Sequence, residues 1–200
     1  MHERRSIRLQ GYNYTQPGYY FVTICAHDRE CIFGKIVDGQ MILNEYGKIV
    51  ETEWMRTAQM RANVNLDEHV IMPNHLHGII VITDAGRGAL QRAPTNRYQD
   101  SRRGTLQRAP RVEQFGKPVS NSIPTIVRLF KSTVTKQINE LRKTPLAPVW
   151  QRNYYEHIIR NEDSLNRIRE YIIHNPLRWM YDRENPDGIP DDAEKKFWNL

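Results

Sequence analysis

The sequence is poor in cysteine and has no long apolar run. It contains two cysteines, Cys25 and Cys31, without CxxC spacing, and nothing at its start resembles a secretory leader. This pattern argues against a disulfide scaffold and predicts a protein of the reduced cytoplasm. No segment approaches the roughly 20 consecutive apolar residues that a membrane-spanning helix needs.

Acidic residues are outnumbered by basic ones. The 200 residues include 29 Lys and Arg against 23 Asp and Glu, a formal charge of +6. An excess of this size fits a polyanionic partner such as DNA, although a basic protein without such a partner is compatible with it too. A hydrophobic fraction of 39% is enough for one domain with an elaboration.

The stretch HVIMPNHLHGIIV, residues 69–81, contains two histidines separated by one leucine. Its apolar, largely β-branched flanks favour strand, and Met72-Pro73-Asn74 interrupts them, so we predict either two strands or one strand with a kink. Side chains two residues apart in a strand leave the same face, so we expect His75 and His77 to project together and Leu76 to enter a core. Two neutral imidazoles side by side supply part of a divalent metal site. The alternative to a metal site is that one of the two histidines is buried in the core and the other is exposed.

Hydrophobic periodicity predicts alternating strands and helices along the rest of the chain. The predicted strands cover 19–25, 32–37, 41–43, 149–151 and 156–159, and the predicted helices cover 45–60, 122–141 and 162–174. The segment 84–118 differs because it contains the imperfect repeat RGALQRAP and RGTLQRAP, with eight basic residues against three acids. We expect a flexible Arg-rich insertion that either follows a DNA backbone or serves as a spacer.

The predicted helix 162–174 contains Tyr171 at the edge of its apolar stripe, about a quarter-turn from the centre. Asn175 follows four residues later, on the same side if the helix continues. Tyr171 is either a half-buried packing residue or a phenolic nucleophile, with Asn175 offering an oxygen to a metal. A phenol has a pKa near 10, so attack on phosphorus at neutral pH needs the charge stabilisation that a divalent ion supplies. Without a Cys cluster for structural zinc, this combination favours phosphoryl transfer to tyrosine.

Three segments resemble one family. Pro73-Asn74-His75-Leu76-His77 resembles the HUH motif, histidine–hydrophobe–histidine, of single-tyrosine transposases. The stretch from Trp150 to Pro176 resembles the C-terminal signature of their REP-associated branch, and Gly18 to Ile24 resembles that family's first strand. The resemblance covers most of residues 12–180, whereas the insertion at 84–118 is foreign to the family core.

The resemblance implies a single HUH domain over residues 1–200, with a C-terminal extension after about 180. Its α+β fold would be ferredoxin-like, with a central antiparallel sheet, helices packed on it and the HUH motif on a central strand. His75, His77 and Asn175 would bind Mg²⁺ or Mn²⁺, and Tyr171 would attack single-stranded DNA beside a hairpin or palindrome. The products would be a 5′-phosphotyrosine link and a free 3′-OH, formed by a monomer or a homodimer.

Several alternatives remain open at this stage. Tyr154 and Tyr155 are rival nucleophiles. Arg128, Lys131 and Lys136 on one face of the predicted helix 122–141, together with Arg152, are candidate DNA contacts, although such a face is often only solvated. A DNA-hairpin-binding module without catalysis and a metal-dependent nuclease that activates water are the competing functions.

Overall fold

The computed structural model describes residues 12–84 and 119–198. The predicted repeat at 87–94 and 103–110 lies outside the described residues, as does nearly all of the predicted insertion at 84–118. The proposed role of that Arg-rich segment therefore stays a prediction.

Six strands and four α-helices follow one another along the described chain. The strands are β1 (Gly18–Cys25), β2 (Gly34–Val37), β3 (Gln40–Leu43), β4 (Val64–Ile71), β5 (His75–Ile82) and β6 (Tyr155–Ile159). The helices are α1 (Glu45–Gln59), α2 (Ile123–Arg142), α3 (Glu162–His174) and α4 (Asp192–Phe197), with 3₁₀ turns at His27–Arg29 and Pro176–Tyr181. None of these described helices is both long and apolar enough to cross a membrane.

The main sheet has the strand order β4-β5-β1-β6, and every neighbouring pair is antiparallel. The helices α1 and α2 connect β1 to β4 and β5 to β6, while β2 and β3 form a separate hairpin. This order confirms the predicted ferredoxin-like α+β fold. The strand β5, which begins at His75, is internal to the sheet, as the resemblance implied.

The two faces of the sheet have separate cores. Alternate residues of β1 and β5, among them Val22, Ile24 and Leu76, pack with Trp54 of α1 and Phe130 of α2. The residues between them face the opposite way, where the buried side chains Phe21, Ile79, Leu165, Ile168 and Ile172 form a second cluster with α3. Because side chains alternate along a strand, this second face also receives His75 and His77.

The stretch 69–81 forms two strands of a hairpin whose turn includes Pro73, where no ladder donor is needed, and this confirms the two-strand form of the prediction. The predicted strand at 149–151 is wrong beyond a single bridge between Trp150 and Ala26. Around that bridge the His27 N–H donates to the Val149 carbonyl and the Gln151 N–H donates to the Cys25 carbonyl. The carbonyls of residues 151–153 then accept hydrogen bonds from the Lys131 ammonium, so the ladder does not continue past Gln151.

Candidate active site

His75 and His77 lie side by side on the α3 face of the sheet. They stand opposite Cys25 and Thr23 of β1, and both side chains are fully buried. Their ring centroids are 4.3 Å apart. Leu76 between them packs into the core on the other face, as the spacing predicts.

A hydrogen bond fixes the tautomer of His75. The Nδ1 atom of His75 lies 2.8 Å from Asn74 Oδ1. The amide nitrogen of Asn74 donates to the backbone carbonyls of Arg29 and Glu184, so Oδ1 is the side of the amide that accepts. His75 Nδ1 therefore carries the proton, and Nε2 presents a lone pair. Burial, together with the neighbouring His77, lowers the pKa of His75 to about 3, which keeps the ring neutral.

His77 has a similar partner on β1. Its Nδ1 atom is 2.9 Å from the hydroxyl oxygen of Thr23, which can accept a hydrogen bond from an Nδ1–H group. In that arrangement His77 Nε2 presents a second lone pair, on the same side as that of His75 Nε2. A ring whose Nδ1 is held in this way is the usual form of a metal-binding histidine.

Asp182 completes the cluster, directly after the 3₁₀ turn Pro176–Tyr181. Its Oδ2 atom lies 3.6 Å from His75 Nε2 and 3.9 Å from His77 Nε2, and its side chain is fully buried. Burial works to raise the pKa of Asp182, but the positive charge that either imidazole would carry when protonated, together with the backbone N–H of Glu184, outweighs burial and leaves the pKa below its usual value. The carboxylate is therefore ionised.

These three ligand atoms fit a metal ion. They all lie within 4.8 Å of one another, and none has a hydrogen-bond partner among the described residues. Buried polar atoms are almost always paired, and here two lone pairs face a carboxylate. A cation is the partner that such a group needs, and two histidines with one carboxylate leave coordination positions open for substrate oxygens.

Asn175, predicted as the third ligand, lies at the junction of α3 and the 3₁₀ turn. It is 1% exposed, and its Oδ1 atom is buried without a hydrogen-bond partner in the described part of the chain. Its role as a ligand stays a prediction. Sequence reasoning missed Asp182, because a single aspartate after a short turn has no periodicity or spacing that connects it with His75.

Tyr171 of α3 lies beside the histidines. Its ring centroid is 5.3 Å from that of His77, and its ring stacks on Phe197 of α4 at 3.7 Å. The hydroxyl donates to Glu194 Oε1 at 3.1 Å. Burial and the nearby charges of Asp182 and Glu194 raise the pKa of Tyr171 well above 10, so the phenol is neutral. Sequence reasoning also missed Glu194.

The rival tyrosines occupy different surroundings. Tyr154 packs against the core formed with α1 and α2, on the face opposite the histidines. Tyr155 lies on the α3 face, where its ring contacts Phe21 and Trp198. Of these three tyrosines, Tyr171 is the one whose ring contacts the His77 ring.

The four candidate DNA contacts do not converge on the cluster of histidines. Three belong to α2, on the opposite face of the sheet. The Lys131 ammonium donates to the carbonyls of residues 151–153, and Lys136 lies 3.9 Å from Glu140. The side chains of Arg128 and Arg152 are exposed, and their contact with DNA stays a prediction.

An antiparallel ferredoxin-like sheet whose inner strand β5 carries His75 and His77, with Asp182 packed against them, is consistent with the HUH motif. Over 187 residues, the chain is 44% identical to an uncharacterized protein of Haemophilus influenzae, covering 92% of this chain and 93% of that protein. The chain therefore belongs to the same family as that protein.

The fold also has a solved counterpart. The structure of a REP-associated tyrosine transposase bound to a REP hairpin superposes with a TM-score of 0.52 and 16% identity, covering 90% of this chain and 74% of the other. At this identity the similarity concerns the fold. No family model matches the chain.

Proposed function

We propose that the protein is a single-tyrosine transposase that cleaves and rejoins single-stranded DNA beside a hairpin. The observation that carries the proposal is the contact of the Tyr171 ring with His77, next to a buried cluster whose three ligand atoms lack a partner in the described chain. A structural tyrosine would not need this cluster, and a structural metal site would not need the open positions that two histidines and one carboxylate leave.

The cluster would hold a divalent ion through His75, His77 and Asp182, with Asn175 as a further oxygen ligand. The carboxylate and carboxamide oxygens suit Mg²⁺ or Mn²⁺, and the two imidazoles favour Mn²⁺ of these two, because a transition-metal ion accepts nitrogen ligands better than Mg²⁺ does. When bound, the ion would polarise the scissile phosphate and neutralise the charge that develops on it. Asn74 and Thr23 would orient the two rings by holding their Nδ1 atoms.

Tyr171 is the nucleophile in this proposal. Its Oη atom would form a bond to phosphorus while the bond from phosphorus to the 3′ oxygen breaks, which gives a 5′-phosphotyrosine link and a free 3′-OH. Because one phosphodiester replaces another, the reaction needs no nucleotide cofactor and can run backwards to join strands. Phe197 stacks on the Tyr171 ring and restrains its orientation, which lowers the entropy cost of positioning the attacking atom.

The proposed substrate is hairpin DNA with a single-stranded flank. The solved protein of the same fold is bound to a REP hairpin, and the present chain has a formal charge of +6. Exposed Arg128 and Arg152 are proposed to contact phosphates, with an affinity that falls as salt increases.

The test is adduct formation on 3′-labelled single-stranded oligonucleotides that carry the palindromic repeats flanking the protein's own gene. With Mn²⁺ the wild type should give a slowly migrating covalent species on a denaturing gel. Tyr171→Phe should abolish it, whereas the control Tyr155→Phe, which removes a hydroxyl on the same face, should retain it. An adduct that survives Tyr171→Phe contradicts the assignment of the nucleophile.

Two other outcomes support the competing functions. A gel shift without cleavage in Mg²⁺ or Mn²⁺ indicates a hairpin-binding module. Cleavage without a covalent species indicates a nuclease that activates water.

A further inference from the structure

The C-terminal helix α4 contributes a carboxylate to the surroundings of the Tyr171 hydroxyl. Glu194 of α4 is 3% exposed, and its Oε1 atom accepts the hydrogen bond from Tyr171 Oη at 3.1 Å. Glutamate is rarely buried to this degree unless it is paired. A carboxylate that accepts a hydrogen bond from a candidate nucleophile can also receive its proton, which a residue that served only for packing could not do.

The position of Glu194 is fixed by several contacts. Its Oε1 atom also accepts hydrogen bonds from Trp198 Nε1 at 2.6 Å and from the backbone N–H of Arg183 at 3.3 Å. The N-cap Asp191 binds the Arg178 guanidinium through both carboxylate oxygens at 2.8 Å, which ties the start of α4 to the 3₁₀ turn. Glu194 is therefore held on a short helix that is fastened at both ends.

A phenol that attacks phosphorus must lose its proton, and a neighbouring group has to receive it. In the described chain, His75 and His77 direct their Nε2 atoms toward Asp182 rather than toward a hydroxyl. Asp182 itself belongs to the candidate metal cluster. Glu194 is outside that cluster and already accepts the hydrogen bond from Tyr171, so the phenol proton can be transferred directly along this hydrogen bond.

We propose that Glu194 is the catalytic base that accepts the proton of Tyr171 during strand cleavage. The inference rests on the proposed function. As the Oη–P bond forms and the P–O3′ bond breaks, the phenol proton moves to Glu194 Oε1 and the departing 3′ oxygen takes a proton from water. In the joining reaction the steps reverse: the protonated Glu194 returns its proton to the phenolic oxygen as the 3′-OH attacks and gives its own proton to hydroxide, which regenerates the water.

The test is Glu194→Gln, which keeps the size of the side chain and its acceptor for Trp198 and Arg183. The matched control is Asp192→Asn, which removes the same charge from the same helix at a side chain that is 91% exposed. The rate of adduct formation is measured under single-turnover conditions with Mn²⁺ and the flanking-repeat oligonucleotides. Mn²⁺ affinity is measured by titration calorimetry, and oligonucleotide affinity by gel shift.

We expect Glu194→Gln to slow adduct formation by about 10²- to 10⁴-fold, the usual contribution of a positioned base, with both affinities within twofold of wild type. Asp192→Asn should react at the wild-type rate. A Glu194→Gln rate equal to that of Asp192→Asn overturns the inference. A faster rate also overturns it, since Glu194 would then restrain the nucleophile. Neither result affects the proposed function, which fails instead if the wild type forms no adduct or if Tyr171→Phe retains it.

Discussion

Replacing Asp182 by asparagine should have opposite effects on the metal-free and the metal-bound protein. In the metal-free protein the Asp182 carboxylate faces two imidazole nitrogens at 3.6 and 3.9 Å, and its Oδ2 atom has no hydrogen-bond partner in the described regions. Asparagine keeps Oδ1, which accepts from the Glu184 N–H, and replaces Oδ2 with a group that can donate to those nitrogens. We therefore expect the metal-free variant to be the more stable protein.

The expected magnitudes follow from the contacts. Relieving one unsatisfied buried polar group is worth roughly 1–3 kcal/mol, which corresponds to a rise in Tm of about 2–12 °C for a protein of this size. Mn²⁺ at about 100 times its Kd should stabilise the wild type by about 2.7 kcal/mol, or about 5–11 °C. Asp182→Asn should weaken binding at least 100-fold, since even indirect ligand contacts contribute about 10- to 100-fold. At that concentration the remaining stabilisation should be no more than about 0.4 kcal/mol.

The assay is thermal unfolding of chelator-treated protein with and without Mn²⁺, followed by circular dichroism. Asp187→Asn is the control, because Asp187 is an exposed acid in the same loop and should behave as wild type. A variant at position 182 that melts below wild type without metal, and that retains the full shift with Mn²⁺, would refute the assignment of Asp182 to the metal cluster.

Three further substitutions test the surroundings of the site. Asn74→Ala removes the acceptor that fixes His75, so Mn²⁺ affinity by calorimetry should fall about 10- to 100-fold; unchanged affinity would contradict this role. Gly78→Ala places a Cβ 2.4 Å from the Trp54 ring and should lower the free energy of unfolding in urea by about 1–3 kcal/mol. A variant as stable as wild type would show that the Trp54 ring can move away without cost. Lys131→Met removes the donor to the carbonyls of residues 151–153, which should lower stability by roughly 1–3 kcal/mol while hairpin affinity stays within twofold; a large loss of affinity would instead make Lys131 a DNA contact.

Local signals in the sequence were enough to predict the helix α3. Asn161 caps it by accepting from the backbone N–H of Ser164, and Asn175-Pro176 ends it, so the predicted and observed limits agree. The common direction of His75 and His77 is equally local, because it depends only on the alternation of side chains along β5.

The remaining site residues could not be predicted in this way. Asp182 reaches His75 because the 3₁₀ turn redirects the chain after α3, and Glu194 reaches Tyr171 because α4 folds back over the same face. These approaches depend on tertiary packing, and neither residue has a spacing relation to its partner. Asn74 illustrates the same limit, since its contact with Glu184 joins residues far apart in the sequence.

The central claim, that Tyr171 becomes covalently joined to DNA in a metal-dependent reaction, is tested most directly by mass spectrometry of the trypsin-digested adduct. Cleavage after Arg169 and Arg178 gives the peptide EYIIHNPLR, in which Tyr171 is the one tyrosine. We predict a 5′-linked nucleotide phosphate on this peptide, present with Mn²⁺ and absent after chelation. The same modification on NYYEHIIR, the peptide with Tyr154 and Tyr155, or cleaved DNA whose 5′ phosphate is free, would contradict it.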